Sequence, residues 1–209
     1  MGKILSEKEA EDFLEKEGFP VVQRKLVKNP EEAIRAAQQM DYPVAMKVYA
    51  PEIIHKSDVG GVKLDIRNNT EVVECFAELM RIKHAKGVTV QKYTEGLFLL
   101  LGLKEDASFG HAIVVGGGGI YTEVLKDVSF RVCPIDQKEA LTMLQELKMY
   151  QLLTGIRGHK AVHLKKLSKL IAQLSRLPAK HKNIAELDIN PLVVYENTMT
   201  IVDARMRLS

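Results

Sequence analysis

The pattern most suggestive of chemistry lies near the C-terminus, where polar and aliphatic side chains alternate. Glu186, Asp188 and Asn190 are separated by Leu187 and Ile189. Successive side chains of a β-strand point to opposite faces of the sheet, so the three polar groups are predicted to project from one face. Carboxylate and amide oxygens in such an arrangement are typical of a site for a hard cation.

A carboxylate from the next stretch of chain is predicted to join this set. The turn residues Glu196, Asn197 and Thr198 indicate a hairpin that brings Asp203 back beside Asn190. Oxygen ligands from two adjacent strands suit Mg²⁺, which keeps several waters and takes its remaining ligands from substrate phosphates. The ordinary polar outer face of a strand is the alternative interpretation.

A lysine in the middle of an apolar strand is the second candidate. Lys47 interrupts the predicted strand 44–48, where an ammonium group is costly to hold unless it meets an anion. A lysine at this position of the strand is compatible with a phosphate contact. It is equally compatible with an edge-strand lysine whose amine reaches water along its aliphatic stem.

The loop after that strand contains a histidine, a hydroxyl group and two glycines. His55 alone is more typical of a hydrogen-bonded surface histidine than of a catalytic one. Ser57 and the pair Gly60 and Gly61 favour a phosphate site, because successive backbone N–H groups without side chains can surround a phosphate.

Four consecutive glycines, Gly116 to Gly119, follow a predicted apolar strand. Each costs about 1 kcal/mol of backbone freedom relative to alanine, so a compensating role is expected. Close approach of a ligand to Gly118 and Gly119 and a tight junction with a neighbouring strand are both consistent with the run. Its spacing matches neither a P-loop nor a dinucleotide-binding fingerprint.

Short helices and strands alternate along the chain, which predicts an α+β fold or an α/β sandwich, without internal repeats. Ser6 and Glu9 form a capping-box signal for the first helix, and Gly18 with Pro20 ends it. Further helices are predicted at 29–42, 69–80, 137–153 and 162–177, and extended segments at 21–27, 44–48, 61–66, 88–93, 98–103, 112–115, 122–125, 130–132, 184–194 and 199–203.

The composition narrows the class of protein. With 209 residues, 46% hydrophobic and 27% charged, the chain is expected to fold around a core. Apolar runs such as residues 97–102 are far shorter than the about 20 residues of a membrane span, and no signal peptide is recognisable, so a cytoplasmic protein without membrane contact is expected. Cys75 and Cys133 are predicted to be buried thiols. The basic stretch 160–182 indicates a solvated helix face rather than a nucleic-acid site.

Several segments in order resemble the ATP-grasp β subunit of ADP-forming acyl-CoA synthetases, in particular the acetyl-CoA synthetases. The resemblance covers nearly the whole chain. It rests on EKEGFPV, DYPVAMKVYAPEIIHKSDVGGVKL, FGHAIVVGGGGIYTEVLKDVSFRVCPI, LLTGIRG, ELDINPLVV and VDARMRL. It implies an ATP-grasp fold whose two lobes close on a nucleotide, with lobe one at about 21–90 and lobe two at about 91–209 plus the N-terminal helix.

The resemblance also implies roles for individual residues. His55 matches the histidine that carries phosphate between a partner subunit and ADP, and an imidazole suits this relay because its neutral form is nucleophilic near pH 7. The remaining matches are to nucleotide, phosphate and Mg²⁺ sites. They are Lys47 at the phosphates, Gln91, Lys92 and Tyr93 at the hinge beside the adenine, Arg131 near phosphate, and Asp188, Asn190 and Asp203 at Mg²⁺.

The implied reaction converts acyl-CoA, ADP and phosphate into carboxylate, ATP and CoA, in either direction. Nothing in the chain resembles a CoA-binding domain, so a separate α subunit is expected to supply the CoA and acyl chemistry, in an α2β2 assembly. The implied ligands of this chain are Mg²⁺ and ATP or ADP.

Two residues depart from the resemblance. Phe98 occupies the position where similar sequences place a glutamate that meets ribose hydroxyls, and Glu95 is the nearest substitute. His163 occupies a position where relatives usually carry an aspartate. Two other functions therefore stay open: an ATP-grasp ligase that works through an acyl phosphate without a phosphohistidine, and a non-catalytic nucleotide-sensing or scaffold subunit.

Overall fold

The computed structural model describes residues 2–53, 56–118, 127–156 and 160–209. The chain divides into two compact units, one formed by Val22–Thr94 and the other by Met1–Val21 together with Glu95–Ser209. Both units combine antiparallel strands with helices, so the predicted α+β class is confirmed. Among these described residues, no helix combines the length and apolar character that crossing a membrane requires.

The smaller unit is a four-stranded antiparallel sheet with two helices on one face. The strand order is β2-β5-β3-β4. Aliphatic side chains of alternate strand positions, such as Val44, Met46 and Val48, pack against the helices in one core. The elements are β2 (Arg24–Val27), α2 (Pro30–Met40), β3 (Val44–Tyr49), a 3₁₀ turn (Ser57–Val59), β4 (Val62–Ile66), α3 (Asn69–Met80) and β5 (Gly87–Lys92).

The larger unit is built on an antiparallel sheet of seven described strands. The order along the sheet is β1-β11-β9-β6-β7-β8, and β10 also pairs with β9. Its strands are β1 (Ile4–Leu5), β6 (Leu97–Asp106), β7 (Gly110–Gly117), β8 (Val128–Val132), β9 (Ile184–Tyr195), β10 (Thr198–Ile201) and β11 (Ala204–Leu208). Its helices are α1 (Glu7–Lys16), α4 (Gln137–Glu146), α5 (Tyr150–Leu153), α6 (Leu164–Leu174) and α7 (Leu177–Lys180).

One face of this large sheet is covered by helices. Leu99, Leu101 and Leu103 of β6, with Leu187 and Ile189 of β9, form a single core with apolar side chains of the helices. The residues between them in sequence therefore point to the opposite face. This second face, called the open face below, carries the polar residues of β9.

The helix starts follow local signals that the sequence makes visible. The Ser6 side chain accepts a hydrogen bond from the Glu9 amide and the Glu9 carboxylate accepts one from the Ser6 amide, which confirms the capping box. Asn29 and Asn68 cap α2 and α3 in the same way, through bonds from amides three residues later. Gly18, with φ +81°, follows α1 as predicted.

Two predicted helices are each divided in the structure. The predicted helix 137–153 breaks at Leu147, which is extended with ψ 138°. The buried Asp127 carboxylate accepts hydrogen bonds from the Lys148 and Met149 backbone amides at 2.7 and 2.9 Å. It therefore provides hydrogen-bond acceptors for the N–H groups just before α5. The predicted helix 162–177 ends at Leu174, and α7 begins as a separate short helix. The predicted strand 122–125 lies outside the described residues.

A bulge in β9 changes which side chains face the core. Leu99 pairs with Leu192 and Leu101 pairs with Ile189, so Asn190 and Pro191 together oppose the single residue Leu100. The alternation therefore shifts by one residue, and Leu192 rather than Pro191 joins the core. Bulges redirect side chains and are common beside functional sites.

Candidate functional site

The predicted oxygen ligands are neighbours at this bulge. Asp188 and Asn190 lie two residues apart in β9. The backbone amide of Asn190 donates a hydrogen bond to the backbone carbonyl of Asp203 at 3.2 Å. The pairing of Ala204 with Ile189 continues this register, which places Asp203 opposite Asn190. The predicted neighbourhood of Asp203 and Asn190 is therefore present in the fold. All three side chains are partly exposed.

The chemistry of this donor set fits a magnesium ion. It consists of two carboxylates and one amide, all hard oxygen donors, and three protein ligands leave room for water and phosphate oxygens. Within the described ranges no cluster of three or more histidine, cysteine, aspartate or glutamate side chains is arranged to hold a metal ion. The set is thus too sparse for a closed structural site and is suited to a cation that arrives with a phosphate.

Arg205 is a site candidate that the sequence interpretation missed. It lies in β11 directly opposite Asp188, and opposed residues of antiparallel strands share a face. Gly102 of β6 is the other direct neighbour of Asp188. The signal was available in the sequence, because Arg205 follows Asp203 by two positions in an extended segment. A guanidinium here adds a cation beside the two carboxylates.

In the small unit, Lys47 and Gln91 share the sheet face that lies away from the helices. Lys47 alternates with the core residues Met46 and Val48, and Gln91 pairs with Ala45 on that same face. The exposed fraction is 5% for Lys47 and 3% for Gln91. Gln91 Oε1 is buried and accepts no hydrogen bond within the described parts of the chain. An unsatisfied buried acceptor beside a buried ammonium fits a site that a polar ligand completes.

The other predicted hinge residues point elsewhere. The Lys92 ammonium donates to the Asp41 carbonyl at the end of α2, at 2.6 Å, on the helix-covered side. The Tyr93 amide donates to the Pro43 carbonyl. Glu95, an exposed residue of the large unit, lies just before β6. The side chain of Lys92 is therefore engaged structurally.

Gly60 and Gly61 have a local structural role. Gly60 ends the 3₁₀ turn with φ +67°, a conformation that favours glycine. Its amide donates to the Ser57 carbonyl at 3.1 Å, and the Gly61 amide donates to the Lys56 carbonyl at 2.7 Å. A Cβ on Gly61 would lie 2.7 Å from a Val48 methyl group. Because both N–H groups are used within the turn, this pair does not present them to a phosphate.

The glycine run after β7 is explained in part by strand packing. A Cβ on Gly118 would lie 2.7 Å from the Leu99 backbone, and one on Gly116 would lie 2.7 Å from the Asp127 carbonyl. The Gly118 amide donates to the Phe98 carbonyl at 2.8 Å. These two glycines therefore allow close strand approach, which was one of the two interpretations. Gly119 lies outside the described residues.

Arg131 lies on the other side of the sheet from Asp188. It pairs with Ile113 of the helix-covered core, and its guanidinium binds the Glu139 and Glu146 carboxylates of α4. These two contacts raise the pKa of Arg131 and hold it fully charged. Arg131 thus joins β8 to α4, and the structure does not bring it together with the predicted magnesium ligands.

The predicted relay histidine, His55, lies outside the described residues. The turn just before it is anchored: the Glu52 carboxylate contacts His84 Nδ1 at 2.8 Å and Lys86 Nζ at 3.4 Å. The Lys86 amide also donates to the Tyr49 carbonyl. The chain that leads to His55 is therefore fixed to the connection between α3 and β5.

The two departures from the family pattern have clear positions. His163 is the N-cap of α6, where its Nδ1 accepts a hydrogen bond from the Lys166 amide at 3.3 Å. An aspartate in that position caps a helix in the same manner, so the exchange keeps one structural function. Phe98 projects from the open face, 39% exposed.

Comparison with known sequences identifies the class of protein to which this fold and these site residues belong. The chain belongs to the ATP-grasp family, whose domain matches residues 1–208. It is similar to the β subunit of ADP-forming acetate–CoA ligase I from Pyrococcus furiosus, with 42% identity over 98% of this chain and 91% of that protein. It is 41% identical to ADP-forming acetate–CoA ligase I from Archaeoglobus fulgidus over 93% of this chain, which spans 30% of that protein.

A solved structure supports the same relationship. Acetyl-coenzyme A synthetase 1 from Candidatus Korarchaeum cryptofilum, in complex with coenzyme A and Ca-AMPCP, matches with a TM-score of 0.93 and 36% identity, over 99% of this chain and 94% of that chain. The ATP-grasp fold and the resemblance to ADP-forming acetyl-CoA synthetase β subunits are therefore confirmed.

Proposed function

We propose that this chain is the nucleotide-binding β subunit of an ADP-forming acyl-CoA synthetase, with acetyl-CoA as the first substrate to test. The observation that carries the proposal is the full-length similarity to the Pyrococcus furiosus β subunit, at 42% identity, combined with the cluster of Asp188, Asn190 and Asp203. The proposed ligands are Mg²⁺ with ADP or ATP.

Two groups of residues would bind the phosphates. Asp188, Asn190 and Asp203 would hold Mg²⁺, which neutralises phosphate charge when it is bound. Lys47 would contribute a buried ammonium to the same task, and Arg205 would supply a guanidinium in place of Arg131. Gln91, with its unsatisfied acceptor, would receive a hydrogen bond from the nucleotide at the hinge.

His55 would carry the phosphoryl group. In ATP formation, the bond between the imidazole nitrogen and phosphorus breaks while a terminal oxygen of ADP bonds to that phosphorus. The imidazole takes up one proton in this step and is left neutral. The solved Korarchaeum enzyme includes a form with Mg-AMPPCP in which the phosphohistidine segment points towards the nucleotide site. That relative supports a phosphohistidine relay, and the resemblance of the HKSDVGGV segment assigns the relay to His55.

The CoA and acyl chemistry would belong to a second subunit. The Pyrococcus furiosus relative is a β subunit, whereas this chain spans 30% of the Archaeoglobus fulgidus ligase. We therefore propose a separate CoA-binding α subunit and an α2β2 assembly. The cytoplasmic location expected from the sequence stays a prediction.

Titration calorimetry with Mg·ADP tests the nucleotide site directly. The unaltered protein is expected to bind, and Lys47→Met should weaken binding about tenfold or more, because a charge-assisted contact to phosphate is lost. Lys63→Met is the matched control, since Lys63 lies in neighbouring β4, pairs with Glu78 of α3 and faces the helices. Equal affinity in the protein and in Lys47→Met would refute the proposed role of Lys47.

A non-catalytic nucleotide sensor or scaffold is the second candidate function, favoured by Phe98 in place of the expected glutamate. The two functions differ in turnover. A sensor would bind Mg·ADP without forming ATP when the α subunit, acetyl-CoA and phosphate are added, whereas the proposed enzyme subunit would form ATP.

A further inference from the structure

A groove on the large unit lies beside α6, on the helix-covered side of the sheet. Its volume is about 320 Å³, and its apolar floor is formed by Leu170 and Met199, with the exposed Pro20 at its edge. Leu170 and Met199 retain 8% and 9% exposure, so the apolar floor is only slightly accessible. Asn197, in the turn between β9 and β10, lies at the rim with Gln173.

The walls of this groove are positively charged. Lys166 and Lys169 line it, and neither has an ion-pair partner within the described ranges. The nearby Glu196 carboxylate is already paired with Lys160 at 2.7 Å. An apolar floor between unpaired ammonium groups is complementary to an apolar side chain flanked by carboxylates.

The sequence of α6 adds to this positive potential. The helix contains no acidic residue, and Lys165 and Lys166 stand in its first turn. Cations at a helix N-terminus oppose the helix dipole, whereas anions there are stabilising by about 0.3–1 kcal/mol. The two lysines in the first turn of α6 therefore add to the positive end of the helix dipole, and an anion bound from outside the helix would be stabilised there.

We propose that this groove is a docking site for an acidic segment of the partner subunit, with one aliphatic or aromatic anchor between aspartate or glutamate residues. The inference rests on the proposed function, which requires a separate CoA-binding subunit. The volume accommodates one or two side chains rather than a whole helix. The location, on the helix-covered side of the large sheet, separates this contact from Asp188, whose side chain projects from the open face.

The test measures binding of the separately purified cognate CoA-binding subunit to the full chain by calorimetry. The charge variant is Lys166→Glu with Lys169→Glu, and the shape variant is Asn197→Trp, which fills the rim without changing charge. The matched control is Lys138→Glu with Lys148→Glu, two exposed lysines outside the groove that give the same change in net charge.

The charge variant is expected to bind about tenfold more weakly or worse, since charge reversal replaces attraction with repulsion at both positions. The shape variant should also bind more weakly, and the control should match the unaltered protein. Added NaCl should weaken binding of the unaltered protein more than that of the charge variant. Melting curves of all variants verify that they are folded.

Unchanged affinity in the charge and shape variants would overturn the proposal, as would an equal loss in the control. A dimer of this chain that the charge variant abolishes would assign the groove to a second copy instead. Mg·ADP titrations keep the two proposals distinguishable. Loss of partner binding in the groove variants with normal Mg·ADP affinity supports the docking site, whereas a protein that binds no Mg·ADP refutes the proposed function.

Discussion

The backbone amide of Asn190 donates a hydrogen bond to the backbone carbonyl of Asp203 at 3.2 Å. This bond lies at the bulge where β9 changes partner from β10 to β11. Together with the bond from the Val202 backbone amide to the Pro191 carbonyl, at 3.3 Å, this bond holds the two stretches of chain together where the proposed magnesium ligands lie. The position of Asp203 therefore depends on backbone pairing, which a change in its side chain keeps. A substitution of that side chain can accordingly separate binding from folding.

Asp203→Asn should weaken Mg²⁺-dependent binding of ADP about tenfold, because an amide is a poorer ligand than a carboxylate. Its effect on the free energy of unfolding should stay within about 0.5 kcal/mol, since the residue is partly exposed and its backbone bond is kept. Calorimetry at several Mg²⁺ concentrations makes the measurement.

Glu186→Gln is the control for this substitution. Glu186 lies on the same strand and face, two residues before Asp188, and contacts Arg207 at 3.3 Å. It should leave Mg²⁺ dependence unchanged. An unchanged Mg²⁺ dependence in Asp203→Asn would remove this carboxylate from the proposed metal site.

Phe98→Glu should raise the affinity for Mg·ADP about tenfold, because a carboxylate at this position would accept hydrogen bonds from ribose hydroxyls. Phe98 is 39% exposed on the open face, so the fold should tolerate the change. Phe130→Glu, an exposed phenylalanine of edge strand β8 on the same face, serves as control. A gain in both variants would show a general charge effect and contradict a ribose contact.

His163→Asp should stabilise the protein by about 0.5–1 kcal/mol, since a carboxylate both caps α6 and meets the positive end of the helix. His163→Ala should destabilise it, because the Lys166 amide loses its acceptor. Thermal melts of the three proteins give the order. Equal melting temperatures for the Asp and Ala variants would show that the cap has little energetic importance.

Glu146→Gln should reduce the acid sensitivity of the fold. The Arg131 guanidinium, with help from the Ser129 hydroxyl, lowers the pKa of Glu146 below its ordinary value of 4.5. A carboxylate with a lowered folded-state pKa contributes stability above its unfolded pKa, and this stability is lost as pH falls through the folded-state pKa.

The variant should therefore be less stable at pH 7, with a smaller loss of stability between about pH 5 and pH 3. Urea unfolding at a series of pH values provides the comparison. Parallel stability curves for the two proteins would contradict this function of the contact.

The sequence predicted those features that depend on local pattern. The capping box of Ser6 and Glu9 and the alternation through Asp188 needed only neighbouring residues. Features decided by distant partners were not predictable in this way. The break at Leu147 depends on the Asp127 carboxylate, and the position of Arg131 depends on two carboxylates of α4.

The glycines and His163 illustrate the same limit. Adjacent glycines at positions 60 and 61 suggested a phosphate cradle, yet their amides close a turn onto Ser57 and Lys56. The reason for His163 was not visible until the start of α6 placed it as an N-cap. Residue type alone could not separate a ligand contact from a backbone requirement.

The most direct test of the central claim is phosphoryl transfer to His55. The full chain would be incubated with Mg²⁺ and ATP labelled on its γ-phosphate, and protein-bound label would be counted after acid and after base treatment. The account predicts an acid-labile, base-stable label that is lost in His55→Ala and kept in His181→Ala, a histidine that contacts Glu17 in the large unit, with Mg·ADP affinity unchanged in both. Label that persists in His55→Ala, or no label on a protein that binds Mg·ATP, would contradict it.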